Sequence, residues 1–253
     1  MIRSYQEEQA YISARVQDLF SVAFRRQYAV YSPFWNEQQI ALAQREIDCN
    51  RFENYRFFGG YSTSERKILG VFPFYMEPDE AVFPISALSF SIPKGYQLSH
   101  RDVLGTLTAL NIARDHIGDI LISSQCGAFY LKQSVVPLVK QELHRIGSVG
   151  VTLEKGVDLE LFSQKKFHEI QGTVASLRLD AVVALIVRAS REKALEMVRS
   201  GVVSLNHFPV LVPNTNVHPG DLITIRGYGK FLFKDTVRPT RKGRLFLTIL
   251  QFI

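Results

Sequence analysis

The sequence predicts an α+β chain built in several units, and three observations carry that expectation. Apolar residues recur at helical spacing in the first fifty positions and alternate at strand spacing after residue 82, so helices and strands are interleaved along the chain. Apolar residues make up 46% of the 253 and charged residues 21%, which suits a protein that buries real cores. The basic excess is confined to the last third, where residues 176–253 hold 12 Lys and Arg against 5 Asp and Glu, a net +7, while the other 175 residues sum to −1. Such an asymmetry marks a separate C-terminal unit directed at a polyanion, either nucleic acid or an acidic membrane surface.

Residues 1–79 read as an αα-ββ unit. Tyr11, Ile12, Val16, Leu19, Phe20 and Phe24 return at three- and four-residue intervals, predicting a helix over 3–27, and a second helix is expected from Asn36 to Ile47. YRFFGGY (55–61) and KILGVFPF (67–74) flank the polar STSER as a hairpin. MEPDE reads as a joint to the next unit.

Residues 80–172 give the order βαββαβ. Leu88, Phe90 and Ile92 alternate with serines as a half-buried strand requires, and Ser99 is placed to cap a helix running to about Leu110. GDILIS and GAFYLK are two strands, VVPLVKQELHRIG a helix and VGVTLE a strand. This is the split βαβ, ferredoxin-like arrangement that RNA-recognition (RRM-like) domains also use, and GAFYL faintly resembles their aromatic strand. The alternative is that Phe129 and Tyr130 divide between core and surface. FHEIQGTVAS (167–176) is a bridging strand.

Residues 173–253 form the basic unit. SLRLDAVVALIVRA puts Leu179, Val182, Val183 and Ile186 on one helical face and leaves Arg178 and Arg188 outside it. A second helix starts after Ser190, whose hydroxyl suits an N-cap, and stops at Gly201, where a left-handed residue is needed. The open helix start offers free N–H groups and a partial positive charge to a phosphate. Arg191 and Lys193 are expected beside that phosphate, Arg178 and Arg188 approach from the preceding helix, and Arg199 and Lys230 extend the patch. KDTVRPTRKGR (234–244) adds a cationic loop containing Arg241 and Lys242, whose plainer role is a solvated hairpin end.

These landmarks resemble the S4-type RNA-binding domain: RLD at 178–180, S-R-x-x-A at 190–194, Gly201, V-x-L-N at 203–206 and P-G-D at 219–221. His207 and Phe208 depart from the glycine turn usual there. With LSHRDVLGTLTALNIARDHIGDI at 98–120, the whole chain is similar to the YlmH family of bacterial S4-domain proteins. The resemblance implies a ribosome-associated factor concerned with quality control of stalled large subunits. Its partners would be structured ribosomal RNA of the large subunit, alone or with tRNA.

Signatures of chemistry are weak. HIGD (116–119) has the look of a synthetase nucleotide motif but lacks the fold and the later lysine motif, so it reads as a turn. RFFGGYS has adjacent glycines without a following helix to hold a cofactor, and His100, Arg101 and Asp102 form a candidate binding trio on a helix start. Cys49 and Cys126 stand far apart without metal-ligand neighbours. The expectation is a non-enzymatic, cytoplasmic RNA-binding protein with no cofactor, no metal and no stable membrane insertion, its oligomeric state open. The contrasting reading is an RNA-modifying enzyme, of pseudouridine synthase or methyltransferase type, with an accessory S4-type domain.

Overall fold

Helix α1 (Tyr5–Arg26) forms along a stripe of Ile12, Val16, Leu19 and Ala23, all buried. Helix α2 (Glu37–Asn50) starts at Asn36, which exchanges a capping box with Gln39. It runs past the expected end at Ile47 because Arg51 itself takes the left-handed conformation that closes a helix, its N–H returning to the carbonyls of Asp48 and Ile47. Strands β1 (Val30–Tyr31), β2 (Tyr55–Phe58) and β3 (Ile68–Val71) make an antiparallel sheet in the order β1-β3-β2. The hairpin is as expected from the sequence; β1, at two residues, is too short for periodicity to reveal.

The computed structural model describes residues 5–162, 167–234, 238–239 and 243–252, the pair 238–239 through its backbone alone. The chain divides into two compact units, Met1–Ser163 and Gln164–Ile253.

The first unit continues through β4 (Ile85–Ser91), α3 (His100–Ala109), β5 (Ile117–Ile122), β6 (Cys126–Lys132) and α4 (Val136–Glu142), followed by β7 (Arg145–Ile146), β8 (Val149–Gly150) and β9 (Glu154–Lys155). Strands β5-β6-β4-β9 form one antiparallel sheet in that order. The strand expected over 149–154 is split. The helix expected over 135–147 stops at Glu142, and Gly147 (φ 57°) lets β7 turn onto β8, which drops Ile146 and Val149 into the core. Strand β4 serves two cores: Leu88 and Phe90 pack with Val103, Leu107 and Phe129, while Ile85 and Ala87 lie against Phe34, Ile68, Phe72, Phe83 and Tyr130. The second cluster joins residues on both sides of MEPDE. That segment is therefore pinned, with Arg56 holding the Glu80 carboxylate and the Pro78 carbonyl.

In the second unit β10 (Phe167–Val174) pairs along its whole length with β16 (Leu245–Phe252), so the bridging strand belongs with the C-terminal segment. Helices α5 (Leu179–Val187) and α6 (Arg191–Arg199) precede β11 (Val203–Leu205), β12 (Phe208–Pro209), β13 (Leu222–Ile225), β14 (Gly229–Phe233) and β15 (Arg238–Pro239). The sheet order is β10-β16-β14-β13-β11-β12, with β15 also on β16. One core holds both helices against the sheet through Val182, Val183, Ile186, Met197, Val198, Phe231, Phe233 and Leu247. Asn206 and His207 make the turn between β11 and β12 at φ 49° and 73°, so two non-glycine residues supply the paired positive φ a tight hairpin needs. The Asn206 side chain steadies it, accepting from the Leu222 N–H and donating to Asp221.

Candidate nucleic-acid interface

Two helix starts organise the basic surface of the second unit. Arg178 is the residue before α5, and Asp180, in the first turn of α5, is fully buried. A lone carboxylate in that position carries a large desolvation cost, and two arginines meet it. Arg178 donates through Nε and Nη2, each at 3.1 Å, and Arg191 at the start of α6 donates through Nε at 3.2 Å. The Ala181 N–H adds a third partner. Burial pushes the Asp180 carboxyl up, but hydrogen bonds from Arg178 and Arg191 outweigh it and hold the group below its ordinary range. Of the five N–H donors on each guanidinium, Arg178 commits two and Arg191 one. The rest remain with side chains 38% and 52% exposed. The trio carries a net positive charge whose outward donors are fixed in direction.

Ser190 caps α6 as expected, its Oγ accepting from the Lys193 N–H at 3.2 Å. Gly201, at φ 71°, follows the helix end as expected. The other cations separate. At 100° per residue, with Ala194, Met197 and Val198 buried, Arg191 and Lys193 fall on opposite flanks of α6, and Arg199 lies on its outer face two turns on. The Lys193 ammonium turns to Glu196 at 3.3 Å, a solvent-exposed pair that contributes little to stability. Arg188 closes α5 in the left-handed conformation (φ 51°) and is exposed. Lys230 sits half-buried on β14. Arg241 and Lys242 lie outside the described residues. The structure thus joins Arg178 to Arg191 through Asp180, keeps Ser190 beside them at the start of α6, and does not gather Lys193 into the same cluster.

In the first unit the trio on α3 is chiefly a helix start. Asp102 accepts from both the N–H and the hydroxyl of Ser99, while burial and then the Arg114 charge hold His100 below its ordinary value. The aromatic strand carries no free ring: Phe129 and Tyr130 are both buried, Phe129 in one core and Tyr130 in the other. A buried ring cannot stack on a base, so Phe129 and Tyr130 offer no stacking surface, nor do they divide between core and surface.

Sequence reading missed a second buried carboxylate. Asp119 accepts from the Tyr61 hydroxyl at 2.7 Å and from the N–H groups of Glu65 and Arg66 at 2.7 and 2.9 Å. The Arg66 guanidinium, pushed down to about 10 by burial and the nearby Arg114, donates to the carbonyls of Ile117, Phe34 and Arg114. This knot ties the loop between β2 and β3 to β5. The signal for it was an aspartate inside IGDILI, an otherwise apolar strand. HIGD is accordingly a structural motif here.

Residues 78–160 match the family model described as "Putative RNA-binding domain in YlmH". The chain is also 34% identical over 195 residues, 76% of either sequence, to Ribosome-associated protein quality control protein P2 of Bacillus subtilis (strain 168). The chain belongs to the YlmH family. A solved structure, Cell division protein ylmH from Streptococcus pneumoniae, covers 63% of this chain and 98% of its own at 22% identity and a TM-score of 0.53, a likeness of fold. In this YlmH family member no helix among the described residues is long and apolar enough to cross a membrane. Among those residues no group of three or more His, Cys, Asp or Glu side chains could hold a metal ion.

Proposed function

We propose that this protein binds structured ribosomal RNA through its C-terminal unit, as a non-enzymatic, ribosome-associated factor in translation quality control. The observation that carries the reading is the pair of arginines from two successive helix starts, aimed by one buried aspartate beside the capped N-terminus of α6. Guanidinium forks fixed in direction suit phosphates at set spacing, as on a folded RNA, whereas a charged tail would serve any polyanion. The two helices followed by a small antiparallel sheet support assignment of residues 173–253 as an S4-type domain. The strand order β5-β6-β4-β9 supports a ferredoxin-like arrangement for the segment within 80–172. The name of the Bacillus subtilis relative supports the ribosome as the setting and quality control as the task. We place the contact on the large subunit, with tRNA as a second RNA partner.

The test is sedimentation of the protein with purified large ribosomal subunits through a sucrose cushion, alongside filter binding to ribosomal RNA fragments. Co-sedimentation that fails for the doubly substituted Arg178→Ala, Arg191→Ala protein, with its fold intact by circular dichroism, is the expected result. Undiminished binding by that variant would overturn the assignment of the site.

A further inference from the structure

Away from the basic unit, the first unit holds a group of rings in water. Phe24, Phe74 and Tyr75 are 68%, 69% and 71% exposed, and Tyr28 is 48% exposed. Phe20 is stacked on Phe52 at 4.2 Å, and Phe24, one turn later on the same face of α1, borders a cavity of about 520 Å³. Phe74 forms another wall, and Gln27, Glu53 and Asn54 supply polar lining.

The rings are held outward by design of the backbone around them. The Asn54 side-chain amide donates to the carbonyls of Phe72, Pro73 and Met76, clamping the turn that carries Phe74 and Tyr75. The Tyr75 hydroxyl donates to the Gln27 carbonyl, fastening the same turn to the end of α1. A loop fixed at so many points while its rings face solvent marks an interaction surface.

We infer that this cavity takes unpaired nucleotides of RNA, with bases stacked on Phe24 and Phe74, which line it, and on Tyr75, next to Phe74 in the same turn, and with the phosphate chain running past Arg25 and Arg26. Charge selects this occupant. Arg25 and Arg26 follow Phe24 directly in the last turn of α1, where Arg25 Nε donates to the Ser21 carbonyl and Arg26 Nη1 to the Tyr28 hydroxyl. Two exposed cations thus stand at the end of the helix that carries Phe24, the combination of basic and aromatic side chains that single-stranded nucleic-acid sites use. The polar lining selects it as well. The Glu53 carboxylate and the Gln27 side chain match the exocyclic amino groups and carbonyls on base edges, groups an apolar protein helix would leave buried without partners. The volume is that of a pocket for a small planar ligand, enough for one or two bases. The inference rests on the RNA-binding reading above and adds a second contact, chemically unlike the first: stacking on single strands here, phosphate pairing on folded RNA there.

The experiment uses the full chain and two probes, a blunt stem-loop RNA and the same stem-loop with a ten-nucleotide 4-thiouridine-containing single-stranded extension. The triple variant Phe24→Ala, Phe74→Ala, Tyr75→Ala should bind the blunt stem-loop as the parent does and lose about ten-fold or more on the extended one. Phe74→Trp, which keeps a ring face, should retain the extended-probe affinity. Ultraviolet crosslinks from the extension should map to peptides containing residues 20–28 and 71–76. The doubly substituted Arg178→Ala, Arg191→Ala protein should weaken on both probes, so loss of the arginine effect alone would sink the C-terminal site and leave this one standing. Equal binding of the triple variant and the parent to the extended probe, with no crosslink to either peptide, would overturn the inference and assign the rings to a protein partner.

Discussion

Asp180, with no exposed surface, lies 3.2 Å from Nε of Arg191, a residue of the next helix. The same carboxylate grips Arg178, so one buried anion sets the relative position of two cations on a surface proposed to meet RNA. Asp180→Asn separates positioning from charge. The variant is one unit more positive, and attraction counted by charge alone makes it bind RNA more tightly. If orientation governs, it binds more weakly, by several-fold, because the amide can no longer receive both guanidinium groups as an anion. Filter binding at two salt concentrations decides, and tighter binding would sink the positioning role. Loss of the charge-assisted bonds should also destabilise the second unit by roughly 1–3 kcal/mol.

The cations of α6 should not be equivalent. Arg191→Ala is expected to weaken RNA binding with little dependence on sequence and to flatten the slope of log affinity against log salt by about 1. Lys193→Ala removes a side chain on the opposite flank that already faces Glu196, and its effect on the slope should be smaller. Salt titrations of the two variants against one ribosomal RNA fragment make the comparison, and matching slope changes would show that both reach the same phosphates.

Acid should loosen the arginine clamp in a defined direction. The Asp180 carboxyl is held below its ordinary value of 3.8 in the folded chain, so its stabilisation is complete above that pH and is lost as pH falls through the lower folded value. Thermal melts from about pH 5 down to pH 2 should therefore fall more steeply for the parent than for Asp180→Asn, which has no proton to take up there. Parallel curves would mean that the carboxylate is not held down by its arginines.

What the sequence disclosed and what it withheld divide along physical lines. Helix starts were legible: Ser99 and Ser190 carry a short acceptor at the right offset and each caps its helix, while the helix expected from Asn36 does start there, with Asn36 as its cap. The succession of β4, α3, β5, β6 and α4 was legible from period changes alone. The split at β7 and β8 was not, since Ile146 and Val149 satisfy a helix or strand pattern equally well and a two-residue hairpin leaves no periodicity. Within the candidate site, the identity of the cations could be read from charge. Their grouping could not: RLD names Arg178 and Asp180 as neighbours but cannot show that Arg191, eleven residues on, shares the same carboxylate. Phe129 and Tyr130 were ambiguous for a related reason. Alternation says they point to opposite faces of the sheet, and only the packing of Tyr61 on Tyr130, with ring centres 5.1 Å apart, shows that both faces are covered.

The Asp119 knot offers a test that does not depend on RNA. Its carboxylate is the acceptor for one hydroxyl and two backbone N–H groups of the loop between β2 and β3, and it lies in a strand otherwise made of apolar side chains. Asp119→Ala leaves the Glu65 and Arg66 N–H groups without that acceptor in a poorly hydrated place, and should cost about 3 kcal/mol. Tyr61→Phe removes a single donor while keeping the ring stacked on Tyr130, and should cost about 1 kcal/mol. Because the chain holds two compact units, urea unfolding should be followed with a probe confined to the first, and Trp35, fully buried there, provides one by its fluorescence. Both substitutions should lower the midpoint of the Trp35 transition in that ranking while leaving unchanged the RNA binding proposed for the C-terminal unit. A reversed ranking would show that the tyrosine hydroxyl, and not the carboxylate, is the keystone of the loop.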